Sequence, residues 1–227
     1  MILKISGLLD SEQLQAASDL LASSRFVDGS GSAGRDAAAG KSNLEMAADE
    51  SNKRLLDNLV MGALLRHPTY LYGGLPHKIL APYYSRYETG MGYDFHLDDP
   101  IMINPSQPGD KLRSDIAITV FLNDGSEYEG GELEVRASHG VDVHKGSAGD
   151  AVMYPASSLH RVAPVTRGCR FVAVTWMQSM VPQPERREIL YQLYNLMESL
   201  RAHDMTPELY DQANAAYQNL VRQWVNI

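Results

Sequence analysis

The chain has 227 residues, of which 44% are apolar, enough material for a globular core of ordinary composition. Twenty basic against 28 acidic side chains leave a net charge of −8, which excludes sequence-independent nucleic-acid binding through a basic surface. The single cysteine, Cys169, excludes an internal disulfide and fits a reducing compartment. The opening MILKISGLLDSEQ has no signal-type apolar run, and the longest apolar stretch, LVMGALL at 59–65, is far too short for a membrane span. The expectation is a cytoplasmic protein with neither a nucleic-acid nor a membrane partner.

In chain order, a short strand at Ile2–Ile5 precedes a helix that opens on DSEQ, with Asp10 as N-cap and Gln13 reaching back to close a capping box. Leu14, Ala17, Leu20 and Leu21 then recur at helical spacing. Residues 28–43, DGSGSAGRDAAAGKSN, are small and Gly/Ser-rich, the texture of a flexible surface loop, whose cations Arg35 and Lys41 offer the alternative of meeting an acidic substrate. A second helix over 49–66 carries Leu55, Leu56, Leu59, Val60, Ala63 and Leu64. It ends where Pro68 disfavours helical geometry at His67.

From about residue 78 to 181 the pattern changes to short strands separated by turns: ILAPYYSRYE, DIAITVFLN, GELEVR, DAVMYP, LHRVAPV and RFVAVTWM. That texture predicts a mainly β domain with flanking helices, a sandwich, barrel or jelly roll. After Met180, Ile189, Leu190, Leu193, Leu196, Met197 and Leu200 form one amphipathic helix. TPEL starts another, with Thr206 as N-cap and Pro207 at the first helical position. The predicted organisation is therefore an N-terminal region at 1–77, a β domain at 78–181 and a helical extension at 182–227. The apolar faces of that extension admit burial on the core or in a homo-oligomer.

The stretch GYDFHLDDP places His96 and Asp98 two positions apart. On a strand such residues share a face with Cα atoms about 6.6 Å apart, so an imidazole and a carboxylate can converge on one ion. Downstream, His160 in PASSLHRVAP begins an apolar strand. Two histidines and one carboxylate on one face of a metal leave positions open for other ligands, the facial triad of non-haem Fe(II) oxygenases. Arg170 in RFVAVTWM shares strand parity with Val172, Val174 and Trp176. It is either a strand-end charge leaning into water or a guanidinium buried against an anion, and a dicarboxylate co-substrate would supply that anion as a bidentate pair.

His96-x-Asp98, His160 and Arg170, with the strings YDFHLDDP, FLNDGSEYEGGELEV and AGDAVMYPASSLHRVAPVTRGCRFVAVTWMQSMV, resemble the Fe(II)/2-oxoglutarate-dependent dioxygenases of the prolyl-4-hydroxylase-like superfamily. More narrowly they are similar to the bacterial PKHD-type hydroxylases, the PiuC-like group related to an iron-uptake factor. The resemblance implies a double-stranded β-helix (jelly roll) core in which His96, Asp98 and His160 hold Fe(II) and Arg170 binds 2-oxoglutarate. It further implies dioxygen as oxidant, L-ascorbate as reductant, succinate and CO2 as co-products, and hydroxylation of a peptidyl or small-molecule substrate. Tyr87 stands where related hydroxylases place a tyrosine that hydrogen-bonds 2-oxoglutarate, and also reads as a barrel-wall aromatic. Phe121 stands where some relatives carry a second tyrosine, and Thr119 shares its face. Asp94 faces with His96 and Asp98, as an orienting carboxylate or a surface charge. His67, His77, His139, His144 and His203 read as solvated, and Cys169 as a packed thiol. Two other functions use the same residues: a cupin-like metalloenzyme that has no need of Arg170, and a non-catalytic iron- or ligand-binding module.

Overall fold

The computed structural model describes residues 1–34, 37–49, 51–104, 109–203 and 206–227. The chain begins with β1 (Leu3–Ile5), α1 (Ser11–Ala22) and β2 (Phe26–Asp28), then β3 (Lys41–Ser42), β4 (Leu44–Met46) and α2 (Asn52–Leu64). Next come β5 (Pro76–Ile79), β6 (Tyr83–Glu88), β7 (Gly92–His96), β8 (Ile101–Ile103), β9 (Lys111–Arg113) and β10 (Ile116–Phe121). They are followed by β11 (Glu129–Gly130), β12 (Leu133–Ala137), β13 (Gly140–His144) and β14 (Ala151–Pro155). The last strands are β15 (His160–Val162), β16 (Val165–Arg167) and β17 (Cys169–Ser179), before α3 (Pro184–Ala202) and α4 (Pro207–Trp224).

Two antiparallel sheets organise these strands. The larger runs β1-β14-β10-β17-β6-β4-β2, with β5 also paired to β17; the smaller runs β13-β12-β15-β7-β3. The double-stranded β-helix implied by the resemblance is present, and the N-terminal strands β1, β2 and β4 extend its larger sheet. Strand β10 shows why its sequence, IAITVF, does not alternate. Ile116, Ile118 and Val120 pack with Leu56, Val60, Leu64 and Leu21 of α1 and α2, whereas Ala117 and Phe121 pack with Leu133, Val135 and Val162 of the smaller sheet. A strand covered on both faces has no polar side to present.

The helices end where their chemistry dictates. In α1 the Asp10 carboxylate accepts the Gln13 N–H at 2.8 Å and the Gln13 side chain accepts the Asp10 N–H at 3.0 Å, the capping box read from DSEQ. Helix α2 stops at Leu64, and beyond Pro68 the chain makes a single wide turn, Thr69–Gly73. Helices α3 and α4 pack on each other and on Leu75 and Val181 through Leu190, Met197 and Tyr217. Pro207 opens α4 as expected, although the Thr206 hydroxyl makes no capping bond.

The Gly/Ser-rich stretch departs from expectation. Instead of a free loop, it forms two short 3-10 turns, Ser30–Ser32 and Ala38–Gly40. It then pairs as β3 with β7 and continues into β4, which pairs with β6. The segment thus ties one edge of the smaller sheet to one edge of the larger. Arg35 lies outside the described residues.

Candidate metal and co-substrate site

Between the two sheets lies a cavity that opens to solvent, about 810 Å³ when the solvent at its mouth is included. The residues singled out from sequence converge on it. His96 and His160 are directly opposite each other in the β7–β15 ladder, with ring centroids 4.3 Å apart. Asp98 sits two residues past His96, just beyond the end of β7 rather than on it. One donor atom from each of the three lies within 4.8 Å of the others, a group able to hold a metal ion. His160 Nε2 and Asp98 Oδ1 are 3.8 Å apart. Two ligands each about 2.1 Å from a shared ion are separated by at most about 4.2 Å, so that spacing fits.

The protonation pattern also suits a cation. His96 Nδ1 lies 2.7 Å from the Asp94 carbonyl and His160 Nδ1 lies 2.9 Å from the Ser158 carbonyl. A carbonyl only accepts, so both Nδ1 atoms carry the proton and both Nε2 lone pairs face the cavity. Burial, helped by the neighbouring His160, pushes the His96 pKa down to about 4, so its imidazole is neutral at pH 7. Burial raises the Asp98 pKa, opposed by His160 and by the indole of Trp176. Asp98 Oδ2 and Trp176 Nε1 are both buried without a well-formed hydrogen bond, although the indole N–H faces the carboxylate. A desolvated carboxylate beside two imidazoles whose Nδ1 atoms face backbone carbonyls is an arrangement that a divalent ion completes.

Arg170 resolves the choice left open by its sequence position. It is 1% exposed, and its Nε and Nη1 are buried without hydrogen-bond partners. Tyr87 is its ladder partner, with the guanidinium carbon 5.1 Å from the tyrosine ring and 5.9 Å from that of Phe121. Leaving such donors empty costs on the order of 1–3 kcal/mol each, a cost that an anion with two acceptor oxygens would relieve. Tyr87 and Thr119 both line the same cavity. Burial pushes the Tyr87 phenol up to about 12 despite the opposing Arg170, so the phenol keeps its proton and remains a donor.

Several neighbours were not anticipated. Tyr93 stacks on His96 at 3.5 Å between ring centroids and fixes its plane. Tyr154 lies edge-on to His160 at 5.0 Å and is paired with Thr119. Both tyrosines belong to strings quoted above, but an aromatic on a strand carries no signal of what it stacks against. Asp94 orients His96 through its backbone carbonyl, while its carboxylate is exposed. His139 is exposed and pairs with Asp142, and His77 and His203 are exposed. His144 is the exception among the remaining histidines, only 6% exposed with neither ring nitrogen hydrogen-bonded. His67 is half-buried and accepts the Thr69 N–H at 3.2 Å. Cys169 is a half-buried free thiol whose pKa is raised by burial.

An antiparallel jelly roll with two imidazoles, a carboxylate and a buried guanidinium converging between its sheets defines a class, the non-haem iron oxygenases. Residues 82–178 match the 2OG-Fe(II) oxygenase superfamily. A PKHD-type hydroxylase from Thioalkalivibrio sulfidiphilus is 43% identical over 227 residues, covering all of both chains. One from Hyphomonas neptunium is 41% identical over 226 residues, again covering all of both. The chain belongs to the PKHD-type hydroxylases, oxygenases of a superfamily that works with iron and 2-oxoglutarate. Among solved structures, a prolyl hydroxylase from Trichoplax adhaerens in complex with a hypoxia-inducible-factor peptide superposes with a TM-score of 0.55 at 17% identity, over 83% of this chain and 86% of that one. A Pseudomonas putida prolyl-4-hydroxylase gives 0.54 at 16%, over 78% and 92%. At such identities these two share the fold. Among the described residues, no helix is long and apolar enough to cross a membrane.

Proposed function

We propose that this chain hydroxylates a C–H bond of a peptidyl or small-molecule substrate, with His96, Asp98 and His160 as the ligands of Fe(II) and Arg170 as the anchor of 2-oxoglutarate. The observation that carries the reading is the pairing of an open-sided ligand set with a buried, unpartnered guanidinium in one cavity. When bound, ferrous iron with 2-oxoglutarate and dioxygen supplies the oxidising chemistry, with succinate and CO2 as co-products.

The protein's share is orientation and exclusion. Asp94 and Ser158 carbonyls hold both imidazoles with Nε2 toward the cavity. Arg170 binds the distal carboxylate of the co-substrate through Nε and Nη1, and the protonated Tyr87 phenol stands beside it as a second donor. Thr119, Tyr154, Leu133 and Val162 wall the space between that anchor and the ligands and limit water there. In this reading residues 78–181 form the catalytic jelly roll, and residues 1–77 and 182–227 brace it. L-ascorbate keeps the metal ferrous, and a role in iron uptake is a physiological setting open to this chemistry.

The test is anaerobic titration of the protein with Fe(II) and 2-oxoglutarate. A weak visible charge-transfer absorption is expected in wild type and is expected to vanish in a His96→Ala/Asp98→Ala double variant. Persistence of the band in that variant would falsify the ligand assignment.

A further inference from the structure

The segment that joins β2 to β4 closes one side of the cavity. Ser32, Ala33, Gly34, Ala37, Lys41 and Glu45 all line it. Two glycines let its backbone lie against the metal-ligand segment. A Cβ on Gly34 would fall 2.6 Å from an Asp99 carboxylate oxygen, and one on Gly40 would fall 2.8 Å from the Asp94 Cβ. Behind these contacts sits a polar cluster. Lys41 Nζ donates to Glu45 Oε1 at 2.6 Å and to Ser32 Oγ at 2.6 Å, and the Ser32 hydroxyl donates to the same Oε1 at 2.8 Å. The ammonium also lies 5.5 Å from the centroid of the Tyr93 ring, the ring that stacks on His96.

Glu45 is 8% exposed, and strand register places it beside Ser85 on the cavity face of the larger sheet. Oε1 takes both donors of the cluster; among the described residues no hydrogen bond engages Oε2. The charges left for a primary substrate follow from this. Of the cations lining the cavity among the described residues, Arg170 is reserved for the co-substrate in the proposed reading, and Lys41 spends two of its three N–H donors on Glu45 and Ser32. Of its carboxylates, Asp98 belongs to the metal, while Glu45 keeps one oxygen and Asp99 is exposed at the mouth beside Leu97 and Met102. The remaining recognition chemistry is that of an acceptor.

We propose that residues 29–34 and 37–45 form the primary-substrate wall of the site, and that Glu45, tempered by Lys41, selects a substrate group that donates hydrogen bonds and carries no negative charge. An ammonium or amide meets an open carboxylate oxygen there, framed by the rings of Tyr83 and Tyr93. A substrate carboxylate or phosphate meets Glu45 and Asp99 instead, and among the described lining residues the cations are the co-substrate anchor Arg170 and Lys41, which is already paired with Glu45. This assignment rests on the preceding reading of the site and on its placement of 2-oxoglutarate at Arg170.

The test uses three matched four-carbon probes, butylammonium, butyramide and butyrate. They are added to protein loaded with 2-oxoglutarate and redox-inert Zn(II), and binding is followed by saturation-transfer NMR. Butylammonium and butyramide are expected to bind and butyrate to fail. Glu45→Gln is expected to weaken butylammonium by about tenfold, the size of one charge-assisted hydrogen bond. Lys41→Met, by removing the competing ammonium, is expected to strengthen it by a similar factor. Opposite signs from the two variants separate recognition from mere support of the wall, since a structural role moves both in the same direction. Equal binding of butyrate, binding of none of the probes, or parallel losses in the two variants overturns the assignment. Calorimetry of 2-oxoglutarate on the same wild-type samples isolates the other failure, because absence of co-substrate binding overturns the functional reading itself.

Discussion

His96 and His160 face each other across one rung of the β7–β15 ladder, and each donates its Nδ1 proton to the carbonyl two residues before it. The same local device, used once on each strand, aims both Nε2 atoms at Asp98. Because burial holds the His96 imidazole neutral at pH 7, a divalent ion displaces no proton from it on binding. Replacing His160 with Gln keeps the bulk of the side chain but removes the aimed lone pair. Co(II) affinity, measured by its visible spectrum, is expected to fall by more than tenfold, while the thermal midpoint of the metal-free protein changes little.

Arg170 separates binding from stability in a similar way. Among the described residues its Nε and Nη1 make no hydrogen bond, and its neighbours are the Tyr128 hydroxyl and the rings of Tyr87 and Phe121. Arg170→Met keeps most of the packing against Tyr87 and Phe121 and is expected to hold or raise the thermal midpoint. The same change removes a charge-assisted pair worth about 3 kcal/mol, so the dissociation constant for 2-oxoglutarate is expected to rise by about 100-fold. An unchanged constant in calorimetry would count against the anchor.

Trp176 stands behind the metal ligands. Its indole N–H is buried, faces the Asp98 carboxylate and lacks any well-formed hydrogen bond in the protein alone. With Asp98 Oδ1 turned to a metal, the indole is the donor placed to hold Oδ2. Trp176→Phe is expected to lower metal affinity by about tenfold, the usual effect of losing a partner that orients a ligand, with secondary structure by circular dichroism unchanged.

His144 predicts a pH dependence unrelated to the metal. Burial, with Lys4 nearby and only partly offset by Asp142, lowers its pKa below the ordinary value of 6.5. The folded protein therefore binds this proton less readily than the unfolded chain. The group's contribution to stability is fully present above pH 6.5 and is lost as pH falls through that value toward the depressed folded pKa. His144→Leu removes two unpartnered ring nitrogens, so its thermal midpoint at pH 8 is expected to equal or exceed wild type. Its midpoint is also expected to fall less steeply on acidification below pH 6.5. A slope identical to that of wild type would show that the histidine titrates alike in both states.

The parts legible in sequence were those where residue type conflicts with its surroundings. An arginine in phase with Val172, Val174 and Trp176 reads as either a strand-end charge or a buried one, and its 1% exposure in the cavity wall decides for the second. DSEQ announced its own helix start because capping is local chemistry. The Gly/Ser-rich stretch was illegible for the opposite reason. Its order comes from backbone contacts of Gly34 and Gly40 with Asp99 and Asp94, residues far along the chain, and small side chains carry no periodicity. His144 was misread because alternation along β13 leaves Val141 and Val143 exposed, and only the tertiary fold shows that the opposite face is covered. Asp98 lies off its strand because β7 ends at His96, a boundary that two-residue spacing does not encode.

The depth of Arg170 has a consequence for traffic. The anchor is 1% exposed at the bottom of the cleft, whereas Leu97, at its rim, is 56% exposed. Whatever settles near the rim stands above the anchor and blocks the way down. Under the proposed function, the keto-diacid then arrives before the molecule to be oxidised, and succinate leaves after that molecule has departed.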